Sequence, residues 1–487
     1  MRVLAKPETK SDEKRPQAEI LIECAEGMEL FHSVDDDAYI RVEINGHREN
    51  HRINSKFLSR WLQQQFYGLT SKAPNAEAMR TALKQLEAMA FFDGERHPVH
   101  LRIAEHNGNI YVDLCDDDWR AVEITSHGWR IIDEPPVRFV RAKAMLPLPE
   151  PKQGGNLLDL RKFIQTKNKH DFVLVISWLL GVFRADGPYP ILALYGEQGS
   201  AKSTTAELLR GMADPALAPL RTLPRDERDL FITAKNSRVL AFDNVSAISD
   251  WLSDALCRLA TGGGFSTREL HSNGDEYIIS ATRPILLTAI EDCIERGDLA
   301  DRAILVELAR INEDNRRAVA DIKREFDEAR PKMLGSLFTA LSHGLRELPN
   351  VRLNTLPRMA DFAKWAVACE LALWRERRFT EPYKLSRANN NETLIDASSV
   401  AAAVRDYAKT QHGKVEHTAT ELLGLLNQLV NPDVKRERAW PKKANALSGK
   451  IRRDAPALRA AGIDVEFDSD GRGADRRNII RITPAPR

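Results

Sequence analysis

Long hydrophobic runs are missing from the chain: no apolar stretch approaches the roughly 20 residues that a transmembrane helix needs. Cysteine is scarce, and the five cysteines of the 487 residues form no Cys-x-x-Cys pair. That spacing argues against both a zinc site and a disulfide framework. The first residues are polar and charged without an apolar core, so we expect no signal peptide. Together these absences predict a protein that stays in the cytoplasm and binds no membrane.

An excess of one charge sign is also missing, because 71 Lys and Arg residues face 70 Asp and Glu residues. Net charge therefore gives no sign of a nucleic-acid-binding protein, and any basic surface must be local. At this length the usual domain size predicts about three domains. The polar, charged residues 1–16 are expected to be disordered, and the Pro- and Gly-rich residues 147–155 are expected to form a linker.

A glycine-rich stretch, residues 195–204, follows an apolar run and precedes a helical pattern. Strand, glycine loop, Lys-Ser and helix is the order of a phosphate-binding loop. Lys202 would reach the β and γ phosphates of ATP, and the Ser203 hydroxyl would ligate Mg²⁺. Ala201 stands where the usual pattern has its second glycine, and the simple alternative is an ordinary Gly/Ser turn. The predicted nucleotide-binding residues are Gly196, Glu197, Gln198, Gly199, Ser200, Ala201, Lys202, Ser203 and Thr204.

A second apolar run ends in Asp243, 41 residues after Lys202. A carboxylate at the carboxyl end of a strand is the Walker B arrangement, which orders Mg²⁺ or its water. Asn244 follows, and its carboxamide can orient water but cannot accept a proton. Slow hydrolysis and a base elsewhere in the chain therefore both remain open. Thr288 ends the next predicted core strand, where a sensor group would contact the γ-phosphate.

Between these two strand ends the sequence predicts a β-hairpin with a turn at Asn273-Gly274. Translocating ATPases use an insertion at this place to grip a nucleic-acid backbone, so Arg268, His271 and Asn273 are candidate DNA contacts. A solvated turn is the alternative. Arg302 precedes a further apolar strand and fits a finger that reaches the ATP of a neighbouring subunit. An ordinary surface pair with Asp301 is the alternative there.

Alternating and helical patterns divide the rest of the chain. Residues 17–146 mix short alternating runs with helical periodicity, which predicts an α+β domain. Residues 156–348 alternate strand and helix around the glycine loop, which predicts an α/β domain. Residues 349–412 are predicted to be helical. The acidic run Asp35–Asp37 leaves open a primase-like metal pair, although acidic residues are common in turns.

The last segment, residues 413–487, has two helical patterns followed by two strands that flank a glycine-rich tip. This is the layout of a winged helix. From Lys414 onwards, 15 Lys and Arg residues face 10 Asp and Glu residues, mostly on the second helix and the wing. Phosphate contacts would form there, unless the domain only has a solvated basic face. The candidate DNA-binding residues are Lys442, Lys443, Lys450, Arg452, Arg453, Arg472, Arg476 and Arg477.

The order of these motifs resembles that of a known family. G-E-Q-G-S-A-K-S-T, F-D-N, T-G-G-G-F-S-T-R-E-L, R-P-I-L-L-T and D-L-A-D-R are similar to motifs of ATP-binding proteins from bacteriophages and integrated mobile elements. The ATPase core of that family resembles superfamily 3 and AAA+ helicases. The resemblance implies binding of ATP and Mg²⁺, ring assembly and a role on DNA, often in replication of the element. Two residues depart from the helicase pattern: Asn244 replaces a glutamate, and Thr288 replaces an asparagine.

We therefore expect a multidomain α/β protein with a P-loop NTPase core, an N-terminal α+β domain and a C-terminal winged-helix-like domain. The expected function is a DNA-dependent ATPase, a helicase that works as a hexameric homo-oligomer together with replication partner proteins. Lys202, Asp243, Asn244, Thr288 and Arg302 are its expected catalytic residues, and Ser203 and Asp243 would hold the metal. Two alternatives remain open: a nucleotide-gated initiator that binds DNA without unwinding it, and a defence ATPase that acts on a protein partner.

Overall fold

The computed structural model describes residues 15–268, 276–290, 293–294, 296–470 and 477–484. Side chains are described in these ranges except at 265–268, 276–280, 470 and 477. Almost all of the predicted tail, residues 1–16, lies outside them. Among the helices of the described ranges, none has the length and apolar character that a bilayer crossing requires.

The N-terminal part has one mixed sheet with three helices, and further short strands after it. Helices α2 and α3 begin at the N-cap residues Ser55 and Asn75, whose side chains accept backbone N–H groups. The elements are α1 (Gln17–Glu23), β1 (Glu29–His32), β2 (Ala38–Ile44), β3 (His47–Arg52), α2 (Lys56–Thr70), α3 (Ala76–Phe92), β4 (Glu95–Arg96), β5 (Val99–His100), β6 (Ile103–His106), β7 (Asn109–Asp113), β8 (Ala121–Thr125), β9 (Gly128–Ile132) and β10 (Arg138–Phe139). The sheet orders are β3-β2-β1-β4, β6-β7-β8-β9 and β10-β5.

The central part is built on a four-stranded parallel sheet. Its elements are a 3-10 helix (Leu157–Lys162), α4 (Lys169–Val182), β11 (Ile191–Tyr195), α5 (Lys202–Ala213), α6 (Glu227–Lys235), β12 (Leu240–Phe242), α7 (Asp250–Thr261), β13 (Gly263–Arg268), β14 (Glu276–Ala281), β15 (Ile285–Ala289), α8 (Gly297–Ala300) and β16 (Ala303–Glu307). The sheet order is β12-β15-β11-β16, and all its pairs are parallel. A parallel bridge between Arg221 and Phe242 extends the sheet beyond β12. The predicted α/β class is thereby confirmed.

The strands of this sheet are apolar at nearly every position because both faces are covered. Leu192 and Leu194 of β11 share a core with residues of α4 and α5. Ile191 and Ala193, which point to the other face, share a second core with residues of α6 and α7. This three-layer packing holds the carboxyl ends of the strands, and therefore the loops that follow them, in a fixed arrangement.

The second N-terminal sheet belongs to the core of the central part. Residues of β6, β7 and β8 lie in the same hydrophobic cluster as residues of α4 and α5. Arg102, which is fully buried, places its Nε 3.3 Å from Asp214 Oδ1, directly after α5. Breaking such a buried pair from one side typically costs about 3–5 kcal/mol. The domain boundary at 146 stays a prediction, since the packing is continuous across it.

The predicted linker, 147–155, lies against a long helix, α9 (Val319–Glu347). The Lys152 N–H donates to Pro331 O at 2.8 Å, and Leu148 is buried. Gly335 is required by this contact, because a Cβ there would lie 1.9 Å from Lys152 O. The segment is therefore anchored to α9 near Lys152 and buried at Leu148 and Pro151, while residues 147, 150 and 152–154 are exposed.

Helices follow α9: α10 (Ala360–Glu370), α11 (Thr380–Ala397) and α12 (Ser399–Lys409). All three lie within residues 349–412, which the sequence predicted to be helical, but α11 has no clear apolar period of its own. That helix has few apolar residues, and it packs partly through polar contacts. The Asn390 amide, which is buried, donates to Ala300 O at 3.2 Å and to Ala303 O at 3.1 Å. Polar packing of this kind gives no hydrophobic period to detect.

The C-terminal part combines three helices with a three-stranded antiparallel sheet. Its elements are β17 (Val415–Thr418), α13 (Ala419–Leu429), α14 (Pro432–Arg436), α15 (Ala444–Ala460), β18 (Asp464–Asp470) and β19 (Arg477–Thr483). The sheet order is β17-β19-β18. Helix α15 begins after Lys443 and continues through Pro456. Strand β17 was not expected from the sequence.

Candidate nucleotide site

The glycine loop joins the carboxyl end of β11 to the amino end of α5, as the sequence predicted. Gly199 has φ +88° and Ala201 has φ 55°, so the loop turns through the left-handed region twice. Ala201 is the N-cap of α5, and its methyl side chain supplies no acceptor to the first turn. The first N–H groups of α5 are therefore available to an anion, which the positive end of the helix dipole also favours.

Lys202 lies over this loop. Its ammonium donates to Gly196 O at 2.7 Å and to Glu197 O at 2.9 Å. Partial burial lowers the pKa of Lys202, and the Asp243 carboxylate acts in the opposite direction. The ammonium thus satisfies two loop carbonyls from a position next to the helix start. A phosphate that replaced these carbonyls would add charge-assisted contacts to the same group.

Ser203 and Asp243 meet at the carboxyl edge of the sheet. The Ser203 hydroxyl lies 2.9 Å from Asp243 Oδ1 and 3.1 Å from Oδ2. Asp243 follows β12 directly, so two elements 40 residues apart in sequence bring their oxygens into contact. The structure therefore brings together the two residues that the sequence assigned to a metal.

Thr288 supports Asp243 from the neighbouring strand, β15. Its buried hydroxyl donates to Asp243 Oδ1 and accepts from the Asn244 N–H, the latter at 3.0 Å. Asn244 has φ 56°, so the chain turns sharply after β12 and exposes the Asn244 carboxamide. Thr288 thus fixes the orientation of the carboxylate and of the turn that follows it. Its predicted contact with a γ-phosphate stays a prediction.

The donor set at this edge fits Mg²⁺. Mg²⁺ prefers hard oxygen ligands and is commonly held by one or two protein oxygens together with substrate phosphates and water. The Ser203 hydroxyl and the Asp243 carboxylate supply such oxygens beside a loop suited to phosphate. Within the described ranges, no group of three or more His, Cys, Asp or Glu side chains could hold a metal by itself.

Two arginines that the sequence did not single out approach the loop from the segment after β16. Arg310 Nη1 lies 3.6 Å from Glu197 Oε2, and both side chains are exposed. A Cβ on Gly199 would lie 3.5 Å from Arg316 Nη2. The segment is carried to this place because β16 pairs with β11 up to Tyr195. Both guanidinium groups therefore belong to the same chain as the loop that they approach.

A polar cavity of about 270 Å³ lies beside the end of β11. Its lining includes Asn168, Asp171, Tyr195, Glu307 and Asn389. Burial raises the pKa of Asp171 to about 6, while an N–H from the Glu307 backbone acts to lower it. The cavity lies on the β16 side of the loop, whereas Asp243 lies on the β12 side. A ligand held by the loop therefore has a polar recess on its metal-free side.

Arg302 and the predicted hairpin lie at the amino ends of the strands, opposite the carboxyl ends that carry the glycine loop. The Arg302 carbonyl accepts from the N–H of Ile191, the first residue of β11, which is about 15 Å from the loop at the usual strand rise. Arg302 Nη1 donates to Asp298 O at 2.6 Å. The suggested partner Asp301 instead faces Arg358 and Arg387, at 3.3 and 3.7 Å. Arg302 is therefore placed away from the loop of its own chain.

The hairpin itself is confirmed, with β13 and β14 antiparallel and Arg268 opposite Glu276. His271 and Asn273 lie outside the described residues, and the Arg268 side chain is not described either. The DNA contacts proposed for all three residues stay predictions.

Several basic residues of the C-terminal part make contacts within that part. Arg452 lies over the Phe467 ring, 4.0 Å from its centroid, and Lys450 donates to Ala439 O. Lys442 donates to Lys435 O in the same way, and the exposed residues are Lys442, Lys443, Arg452 and Arg453. Arg472 and Arg476 lie outside the described residues, and the side chain of Arg477 is not described. The predicted duplex contacts of all these residues stay predictions.

The acidic run Asp35–Asp37 is held in a turn. Its last carboxylate lies 3.0 Å from Arg52 Nη2 and 2.9 Å from Lys235 Nζ. Two protein cations therefore already neutralise Asp37, which makes a metal pair at this turn unfavourable. Lys235 belongs to α6, so the turn also connects the N-terminal sheet to the central part.

Two family models match the chain. Residues 155–383 match the model described as an actinomycete integrative conjugative element replication protein, and residues 400–487 match that of the AICE RepA C-terminal domain. Both regions are therefore similar to this family of replication proteins. The expected link to replication of a mobile element is thereby confirmed. None of the curated proteins matches the chain in sequence.

The fold is similar to that of SCCmec type IV Cch, a structure described as an active helicase. The two share 12% sequence identity with a TM-score of 0.50, over 93% of this chain and 92% of that chain. The C-terminal region of NrS-1, solved without ligand, gives a TM-score of 0.40 at 12% identity, over 96% of this chain and 99% of that chain. At such identities the likeness concerns the fold alone. The central sheet with its glycine loop is thus found in a replication protein family with a helicase-like fold.

Proposed function

We propose that the chain is a DNA-stimulated ATPase that works as a helicase in the replication of an integrative conjugative element. The observation that carries the proposal is the contact between Ser203 and Asp243 at the mouth of the glycine loop. A hydroxyl, a carboxylate and Lys202 at the start of a helix form the donor set that ATP with Mg²⁺ needs. The replication family of residues 155–383 supports DNA as the partner.

Each residue of the site has a distinct part in this proposal. Lys202 exchanges the carbonyls of Gly196 and Glu197 for the phosphates, and the N–H groups of α5 donate to the same phosphates. Ser203 and Asp243 hold Mg²⁺, which offsets phosphate charge when bound. Arg310 and Arg316 add cations from the same chain. The Asn244 carboxamide orients a water, but it cannot take the proton from it.

The base of the nucleotide would enter the polar cavity beside Tyr195. Because the metal ligands lie on the β12 side, a bound triphosphate extends toward β16 at its other end. Asn168 and Asp171, which hydrogen-bond to each other, line that recess together with Asn389, whose amide can pair with the edge of a base. The loop would therefore hold the phosphates of a nucleotide, and this cavity would hold its base.

A ring of subunits would complete the active site. Arg302 lies on the far edge of its own sheet, and a finger from that edge can serve only a neighbouring subunit. We propose a homo-oligomer, a hexameric ring, with the hairpin of β13 and β14 directed at DNA and the C-terminal part folded as a DNA-binding winged helix.

The test is ATP turnover by the full chain with and without single-stranded DNA, beside a strand-displacement assay. We expect turnover that DNA increases and unwinding that requires ATP. Absence of turnover under both conditions, with nucleotide binding intact, would refute the helicase. Sedimentation with and without ATP tests the ring, and a monomer under both conditions would refute that part.

One alternative is supported by Asn244. A nucleotide-gated initiator would bind ATP, assemble on DNA and unwind nothing, because the site lacks a carboxylate directly after Asp243. ATP-dependent DNA binding without strand displacement would favour the initiator. The third possibility, a defence ATPase, would require turnover that responds to a protein partner and not to DNA.

A further inference from the structure

The helical region between α9 and α12 contains a cavity that the nucleotide site does not use. Its volume is about 500 Å³, and it opens to the surface between α10, α11 and the end of α15. Arg352, Arg377, Lys384 and Arg387 line it, and its lining contains no acidic side chain. The floor includes Tyr383, whose buried ring stacks on Phe379 with a centroid distance of 5.0 Å.

The positive charge of this cavity is local and only partly neutralised. Residues 352–387 contain eight Lys and Arg against four Asp and Glu, in a chain that is otherwise balanced. Lys384 lies 3.1 Å from Glu381 Oε1, Arg387 faces Asp301 at 3.7 Å, and Arg377 faces Glu370 at 3.8 Å. Arg352 donates only to backbone carbonyls, Pro349 O at 2.9 Å and Val351 O at 3.1 Å. The opening is therefore cationic, which raises the local concentration of an anionic ligand.

The cavity continues toward the C-terminal part. Asn391 lines both this cavity and a neighbouring one of about 280 Å³, which also contains Arg453 of α15. Asp301 and Asp454 line the second cavity, but Asp301 also faces Arg358, and Asp454 accepts from Ser398 at 2.7 Å. Two neighbouring recesses that share Asn391 and have cations at both ends suit an extended polyanion better than a single small one.

We propose that this recess, which we term the α10–α11 recess (Arg352, Arg377, Lys384, Arg387), binds the phosphodiester backbone of single-stranded DNA. A volume of about 500 Å³ is large enough for part of a single strand. A positively charged groove that follows the backbone is one part of the usual construction for binding a single strand without sequence preference. The inference rests on the proposed DNA-dependent function and assigns the strand a site outside both the hairpin and the C-terminal sheet.

The test is a salt titration of binding to a fluorescent oligo-dT by the full chain. The variant is Arg352→Gln with Lys384→Gln, since both side chains are exposed. Losing two phosphate contacts lowers the slope of log affinity against log salt by about 1.4, or roughly 25-fold in affinity at 0.1 M salt. The matched control is Arg130→Gln with Lys162→Gln, which removes one exposed Arg and one exposed Lys, each paired to one carboxylate. It should stay within about twofold of the parent, as expected for surface pairs.

The outcomes are distinguishable. The charge-retaining swap Arg352→Lys with Lys384→Arg should keep the parental salt slope, whereas a fold defect would affect it too. An unchanged slope in the Gln variant, with DNA binding otherwise intact, would overturn the recess and leave the proposed function standing. If the parent binds no oligo-dT at any salt, the proposed function fails as well. The Gln variant is also made in a Lys202→Ala background. If it loses pyrophosphate binding there while oligo-dT binding is unchanged, the recess is a small-anion site and the proposal is overturned.

Discussion

The nucleotide loop and the basic surfaces of this protein are built in different ways. Gly196 to Ser203 lie in one short segment whose backbone shape, together with Asp243, places the Lys202 ammonium and the Ser203 hydroxyl within about 3 Å of their partners. The basic residues of the α10–α11 recess and of α15 come from separate helices and connecting segments. The loop is thus specified by consecutive residues, whereas a basic surface is specified only by the way in which distant segments pack.

This difference has a consequence for sensitivity to mutation. In the loop, each group is positioned by backbone geometry and serves one ligand, so a single change removes a defined contact. On the basic surfaces, several cations share one polyanion, and each contributes a similar increment. Single changes in the first region should therefore have large effects on turnover, and changes in the second should act gradually and depend on salt.

The largest expected effect concerns Arg302. If it acts on the ATP of a neighbouring subunit, Arg302→Ala should lower ATP turnover by roughly 10³–10⁵. Mixing Arg302→Ala subunits with Lys202→Ala subunits should recover turnover, because some interfaces then join an intact loop to an intact finger. Turnover of the two variants, alone and mixed, is the measurement. No recovery in rings shown to be mixed would contradict action between subunits.

The next effect, on nucleotide affinity, should come from Lys202→Ala. Two charge-assisted hydrogen bonds at about 1.5–3 kcal/mol each correspond to roughly 100-fold or more. Equilibrium binding of a fluorescent ATP analogue measures it. Lys162→Ala, which removes an exposed lysine away from the loop, is the control and should bind as the parent does. Similar affinity in the two variants would remove Lys202 from the site.

Much of the nucleotide site could be predicted from the sequence because its signals are local. Strands β11 and β15 appear as apolar runs, since both faces of the sheet are covered. The loop residues follow β11 directly, and Asp243 follows the apolar run that contains β12. Arg310 and Arg316 could not be predicted, because they reach the loop only through the pairing of β16 with β11. No local pattern marks that approach.

The helical and C-terminal regions show what sequence patterns miss. Helix α11 packs through Asn390 and carries Lys384 and Arg387, so it has polar residues where a pattern requires apolar ones. Strand β17 has only four residues and lies at a sheet edge. The surplus of Lys and Arg after Lys414 can be counted in the sequence. Which of these residues contact other parts of the protein, and which are free to bind DNA, depends on the fold. Arg452, for example, is held by Phe467.

A smaller effect, on duplex affinity, should distinguish the basic residues of the C-terminal part from those of the α10–α11 recess. Lys442→Gln with Lys443→Gln leaves the internal contacts of Lys450 and Arg452 in place. If both residues contact duplex phosphates, the salt slope for duplex binding should fall by about 1.8, or roughly 60-fold in affinity at 0.1 M salt. Duplex binding against salt is the measurement, with the Arg130 and Lys162 double variant as control. An unchanged slope would remove the winged-helix interpretation of the C-terminal part.

A companion variant tests the hairpin against that surface. Arg268→Ala with His271→Ala should reduce the stimulation of ATP turnover by DNA more than it reduces duplex affinity. The reason is that α7 and the hairpin connect β12 to β15, two strands of the sheet that carries the nucleotide site. Both assays are run on both double variants. If the two variants have equal effects in both assays, the hairpin and the C-terminal part do not have separate roles in ATP turnover and duplex binding.

The smallest effect concerns the backbone of the loop itself. Ala201 has φ 55° and ψ 34°, a left-handed conformation that costs a non-glycine residue about 1–2 kcal/mol. Ala201→Gly removes this cost but increases the entropy of the unfolded chain, so the net gain in the free energy of unfolding should be below about 1 kcal/mol. Ala329→Gly in the middle of α9 makes the same chemical change where φ is helical, and it should lose about 1 kcal/mol. Urea unfolding of both variants without nucleotide measures whether the free energy of unfolding rises or falls in each. A loss of stability in Ala201→Gly equal to that in Ala329→Gly would mean that Ala201 is not strained, and that the loop reaches this shape only when a phosphate is bound.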